Sequence, residues 1–251
     1  MNKGFKRLFL TLIVLITVAA LVFISVFLLA KQKKVFINNW FVNESRNTIG
    51  VDVSSYQADI DMNRLKEQNI QFVYIKATEG SSGQDSRFAE NWENAKNAGL
   101  LSGAYHFFSF DSDGKTQAEN FIKMVGPDLR GRLLPVVDVE YYGDKELNPP
   151  EKTDVVRELK EYLEMIEQEY GVKPVIYTGA DPYEKYLRGE FDDYKKWMSS
   201  LYTPLSWNYK GDWYLWQYLN RGELEGYSGG EQYIDLNVLN KDKNLEDLII
   251  R

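Results

Sequence analysis

The chain has 251 residues, 44% hydrophobic and 14% aromatic, with no cysteine and a single histidine, His106. These counts exclude a disulfide framework, a cysteine nucleophile, a cysteine-rich zinc site and a multi-histidine metal centre. The net charge of −7 divides unevenly: residues 1–50 carry seven Lys/Arg and one acid, the remainder 23 Lys/Arg and 36 acids. An acidic body argues against nucleic acid as a partner, since phosphate binding needs a positive groove.

In chain order, Lys3, Lys6 and Arg7 precede an uncharged apolar run over residues 8–30, and Lys31, Lys33 and Lys34 follow it. About 20 apolar residues cross a bilayer, whereas the apolar core of a cleaved secretory signal is roughly 7–15 residues long. The expectation is a single-pass signal anchor over 8–30, with residues 1–7 cytoplasmic and the body extracellular. Cleavage that releases the body is the alternative. Residues 31–48 read as a stalk leading into a domain over 49–251.

From residue 49 onward, β-branched runs alternate with helical periods. Strands are predicted at 49–53, 71–76, 103–108, 133–140 and 173–177. Helices are predicted at 62–68, 87–98, 115–125, 154–170 and 182–187, with Gly99 and Gly171 as C-terminal caps. Beyond Phe191 the pattern changes: 213–218 and 232–236 read as strands with no long helix between them. Apolar strands separated by helices imply a parallel sheet buried on both faces. The predicted fold class is α/β, an irregular (β/α) barrel with a strand-rich last third, preceded by one transmembrane helix.

With cysteine and multi-histidine chemistry excluded, and no G-x-S-x-G elbow to accompany His106, the chemistry falls to carboxylates. Asp52, Asp138, Glu140 and Asp235 each fall at a predicted strand end, where barrels place their active-site mouth. Asp138 and Glu140, at i and i+2, share one face of a strand. Two close carboxylates do not both ionise easily, which leaves a protonated acid beside an ionised one, the pair that glycoside hydrolysis uses. Structural ion pairs with Lys76 or Arg132, turn caps at Asp52 and Asp235, or a divalent-cation site account for the same acids. His106 reads as a core or supporting histidine, and most of the aromatics as packing.

The ordered blocks Ile49-Gly50-Val51-Asp52-Val53-Ser54-Ser55-Tyr56-Gln57, Phe72-Val73-Tyr74-Ile75-Lys76-Ala77-Thr78-Glu79-Gly80 and Gly103-Ala104-Tyr105-His106-Phe107 resemble glycoside hydrolase family 25, the Chalaropsis-type lysozymes. So do Gln117-Ala118-Glu119-Asn120-Phe121, Pro135-Val136-Val137-Asp138-Val139-Glu140, Pro174-Val175-Ile176-Tyr177-Thr178, Trp216-Gln217-Tyr218 and Ile234-Asp235-Leu236-Asn237. The resemblance implies a flattened (β/α) barrel that cuts the β-1,4 bond from N-acetylmuramic acid to N-acetylglucosamine in peptidoglycan, without a cofactor or metal. It implies Glu140 as general acid, with Asp138, Asp52 and Asp235 as the other active-site acids. It further implies a sugar groove lined by Tyr56, Lys76, Glu79, Tyr105, Tyr177, Trp216 and Gln217. One departure is Met198-Ser199-Ser200-Leu201-Tyr202, where the tyrosine stands one residue later than in the family. The alternatives are a non-catalytic wall-binding domain on the same fold and a chitinase-like barrel. The latter normally carries an Asp where this chain has Val136.

Overall fold

Alternation along each strand decides which side chains fill the centre of this molecule and which pack beneath its helices. The computed structural model describes residues 3–42, 44 and 47–251. Helix α1 (Lys3–Lys31) is followed by β1 (Ile49–Val53), α2 (Met62–Glu67), β2 (Ile70–Glu79), β3 (Gly83–Gln84), α3 (Phe88–Asn97) and β4 (Leu101–Phe107). Next come α4 (Gly114–Val125), β5 (Val136–Val139), α5 (Lys152–Tyr170), β6 (Val175–Thr178) and α6 (Ala180–Pro182). The chain continues through β7 (Lys196–Ser199), α7 (Leu205–Asn208), β8 (Leu215–Gly222) and β9 (Ile234–Leu239).

The sheet runs β1-β9-β8-β7-β6-β5-β4-β2, and pairing of β1 with β2 closes it into an eight-stranded barrel. Every neighbour pair in the ring is parallel except those made by β9, which is antiparallel to both β1 and β8. The predicted barrel with a strand-rich last third is thus the observed fold. Closure removes the unpaired edges that an open sheet would expose.

Inside the barrel, Phe72 and Tyr74 of β2, Val136 of β5, Val175 and Tyr177 of β6, Trp197 of β7, Leu215 of β8 and Leu239 of β9 form one apolar cluster. Their strand neighbours, among them Val51, Val73, Val137, Ile176 and Met198, point outward into the larger core beneath the helices. Gly50 of β1 makes room for this filling: a Cβ there would sit 2.3 Å from the Phe72 ring. Gly50→Ala is expected to lower stability by about 1–3 kcal/mol through overpacking, read as a drop in the urea midpoint at constant slope.

Boundaries differ from expectation where proline intervenes. The fourth strand begins at Val136, not at 133, because Pro135 has no N–H to continue the ladder. Leu134 instead donates to Leu248 O, and Leu133 bridges Ile249. The fifth begins at Val175, after Pro174. Strand β7 and helix α7 have no counterpart in the predicted elements. Strand β9 begins later and ends later than the predicted 232–236.

Helix α1 is the one helix among the described residues that is long and apolar enough to cross a membrane, and its predicted membrane-spanning stretch is exposed along nearly all its length. The following segment is not a free stalk. Ile37 and Asn38 are 3% and 0% exposed, and Phe36 stacks on Tyr202 with centroids 4.4 Å apart. The Asn38 amide Nδ2 faces three carbonyls, those of Ser200 at 2.6 Å, Leu201 at 2.8 Å and Tyr218 at 2.8 Å. These residues belong to the folded body.

Candidate active site

Four acids converge at one end of the barrel because of how their strands run. Asp52 lies near the C-terminal end of β1, and Asp138 on β5 points to the same interior; Glu140 follows β5 directly. Asp235 arrives differently: it is near the start of β9, and because β9 runs backwards that start lies at the mouth. The antiparallel register sets Asp235 directly opposite Asp52. All four line a single groove of about 410 Å³.

The groove is held by a line of side-chain hydrogen bonds across neighbouring strands. The Trp197 indole donates to Asn237 Oδ1 at 2.8 Å, and Asn237 Nδ2 donates to Asp52 Oδ2 at 2.7 Å. Gln217 Nε2 donates to the same oxygen at 3.0 Å, and its Oε1 accepts from the Tyr177 hydroxyl at 2.8 Å. Two amide donors on one carboxylate oxygen favour the ionised form of Asp52. Burial opposes them and leaves the net shift of Asp52 upward.

The other acids are raised as well. Burial, and then the neighbouring Asp52 charge, push Asp235 up to about 9, so that it is protonated near neutrality. Like charges directly opposite on an antiparallel pair repel, and a shared proton relieves this. Asp138, 7% exposed, is held well above the carboxylate range by burial first and by Glu140 second. Its Oδ1 is buried without a hydrogen-bond partner. Glu140 rises from an ordinary 4.5 to about 7, through burial and then the Asp52 charge, while Lys76 and the Tyr177 hydroxyl pull it down.

Of the remaining residues singled out in the sequence, Tyr56, Lys76, Tyr105, Tyr177 and Gln217 line this groove. Glu79 does not; it pairs with Lys76 Nζ at 2.6 Å and lines an adjoining cleft with Tyr56 and Lys76. Trp216 also lies outside it. On β8 the residue after Leu215 and before Gln217 points outward, where the Trp216 ring packs against Trp213 and Tyr218 and its indole donates to Ser200 O at 3.0 Å. Tyr202 stacks on Phe36, and Leu201 lines the groove. Sequence reasoning did not assign Trp197 or Asn237. The signal for Asn237 was its place two residues after Asp235, on the same strand face.

His106 faces away from the groove, beneath helices α4 and α5. It is fully buried, and its ring stacks on Tyr162 with centroids 4.9 Å apart. Thr78 Oγ1 lies 2.7 Å from Nδ1 and Gln117 Oε1 lies 3.1 Å from Nε2. Because that amide oxygen only accepts, Nε2 carries the proton and Nδ1 accepts from Thr78. Gln117 also receives the Ser109 N–H at 2.7 Å, tying the loop after β4 in place. Burial lowers His106 to about 4. As the chain's one histidine, its ring NMR signals are expected to stay constant from pH 8 to 5 and move only near pH 4. A midpoint near 6.5 would show an exposed, unconstrained ring.

Raised carboxylates in a groove walled by tyrosines constitute a general-acid arrangement suited to cleaving a sugar acetal. The chain resembles the solved family 25 glycosyl hydrolase of Bacillus anthracis at 45% identity and a TM-score of 0.73, over 82% of this chain and 95% of that one. The YegX protein of Escherichia coli is 36% identical over 199 residues, 76% of this chain and 69% of that protein. The autolytic lysozyme of Clostridium acetobutylicum is 30% identical over 180 residues, 72% of this chain and 53% of that enzyme. The model of the glycosyl hydrolases family 25 matches residues 51–227, which takes in Asp52, Asp138 and Glu140. On that match and that fold, the chain belongs to glycosyl hydrolase family 25 and is a glycoside hydrolase.

Proposed function

We propose that the protein is an N-acetylmuramidase that cuts the β-1,4 bond from N-acetylmuramic acid to N-acetylglucosamine in peptidoglycan, held at the outer face of the cell membrane by α1. The observation that carries this reading is Glu140, raised to about 7 at the edge of a groove that also holds Asp138 and the amide-bound Asp52. Glu140 is the general acid: it gives its proton to the glycosidic oxygen as the bond breaks. The positive charge that develops on the anomeric carbon meets the carboxylate of Asp52 and the oxygens of Asp138. Asp138 Oδ1, buried and unpartnered, is placed to accept the N–H of the sugar's acetamido group. A water then attacks the anomeric carbon and returns a proton to Glu140. Tyr56, Lys76, Tyr105, Tyr177 and Gln217 hold the sugar in the groove.

Digestion of purified peptidoglycan by the full chain, followed by mass spectrometry of the borohydride-reduced fragments, tests this. Reduced N-acetylmuramic acid ends are expected. Reduced N-acetylglucosamine ends would replace the muramidase reading with a glucosaminidase. Glycan binding without any cleavage would favour a wall-binding domain. The membrane assignment is tested separately, since recovery of the native protein only in culture fluid, without residues 1–30, would remove it.

A further inference from the structure

The groove does not end at Glu140. A second cleft of about 360 Å³ adjoins it, and Glu140, Ser199 and Leu201 line both. Asp52, Asp138 and Asp235 line only the first. Glu140 therefore stands on the divide between two cavities, with the charge-stabilising acids on one side of it. Part of the wall of the second cleft comes from α1 and the segment after it, through Ala30, Lys31 and Lys33.

That wall is fixed to the body. The Phe27 ring lies 5.3 Å from Trp207, Ala30 is 1% exposed, and the three carbonyls gripped by Asn38 include those of Ser200 and Leu201, which line the cleft. Its chemistry is that of a surface for a neutral, hydroxyl-rich ligand. Lysines 31 and 33 are matched by Glu146 and Asp181, and Tyr141 and Tyr202 supply ring surface. The Lys33–Glu146 pair is 3.9 Å apart with both side chains about 70% exposed, so it gives way readily to a competing hydrogen-bonding group.

We propose that this second cleft binds the sugars on the leaving-group side of the scissile bond, with the anchor segment as its outer wall. The inference rests on the muramidase reading, in which the sugar that develops charge occupies the first groove and its leaving oxygen meets Glu140. The next sugar then lies across Glu140, against Lys31 and Lys33. The tether is thus part of the substrate site, and a strand is cut while it lies along the membrane-proximal segment.

The chain's lack of cysteine permits a direct test in the full-length Glu140→Gln protein in detergent. A single Lys33→Cys substitution is coupled to a bulky maleimide, with Lys34→Cys, which lines neither cleft, treated alike as control. Binding of a disaccharide and of an octasaccharide of the wall glycan is measured by calorimetry. The adduct at 33 is expected to weaken octasaccharide binding at least about ten-fold and to leave the disaccharide unchanged, while the adduct at 34 changes neither. Equal octasaccharide affinity with and without the adduct at 33 would overturn the proposal while leaving the muramidase reading intact. Failure of the unlabelled protein to bind either sugar would remove both.

Discussion

Glu140→Gln is expected to lower kcat by about a thousand-fold or more and, at the same time, to make the protein more stable at alkaline pH. The loss follows from removing the proton donor assigned to the proposed scissile bond, a contribution of roughly 10²–10⁴-fold for general acids. The gain follows from the same burial that makes Glu140 an acid. Its folded-state pKa of about 7 lies above the ordinary 4.5. A raised carboxyl contributes its full stability below the unfolded value and loses it as pH rises through the folded one. The parent protein is therefore penalised progressively between pH 4.5 and 7, by about 3 kcal/mol above that window, at 1.36 kcal/mol per pK unit. Glutamine has the same shape and no charge, so urea midpoints of variant and parent should agree near pH 4 and separate by pH 8. Activity of the parent should fall on the alkaline side of pH 7. Unchanged turnover in the variant would remove Glu140 from the chemistry, and coincident midpoints at both pH values would deny its burial.

Asp138→Asn is expected to reduce kcat by about 10²–10³-fold with KM changed only a few-fold, because the group acts on charge that appears only in the transition state. Asp138 is buried, its Oδ1 has no partner, and of the β5 residues it lines the groove with Val136 alone. A proportionate rise in KM with kcat preserved would instead make it a ground-state binding residue. Formation of a glycosyl azide by Asp138→Ala in the presence of azide would identify Asp138 as a nucleophile, in place of a residue that orients the acetamido group.

The parts of this site that could be read from the sequence are those carried by local patterns. Asp138 and Glu140 are two residues apart on one strand, so alternation alone places them on one side, and both line the groove. Asp235 lines the same groove by a route the sequence did not disclose. It was expected at the C-terminal end of a strand and stands near the start of one, because β9 reverses direction. Strand direction is set by which neighbours complete the ring, which is a property of the whole chain. Trp216 shows the converse: motif membership suggested a sugar contact, but the strict alternation that sends Gln217 inward sends Trp216 out. Strand β7 escaped because Lys196-Trp197-Met198-Ser199 is short and opens with a lysine. That lysine is tolerated in burial because its Nζ donates to Phe191 O and Tyr194 O at 2.6 Å each. The folded segment at 36–42 was read as a stalk because its anchor, Asn38, is polar; no hydropathy signal marks a residue buried by hydrogen bonds to distant carbonyls.

The reversed β9 also governs when the enzyme comes into being. The Asp52 carboxylate takes its hydrogen bonds from residues 165 and 185 positions later in the chain. Domains form as units during synthesis, and contacts of such long sequence separation form late. While β8 and β9 are still being made, β1 lacks one of its two neighbours and Asp52 lacks both amide partners. The half-made chain therefore holds Glu140 and Asp138 without the part of the groove that β8 and β9 supply. The hydrogen-bonded form of Asp52 arrives with β9, the last strand of the ring.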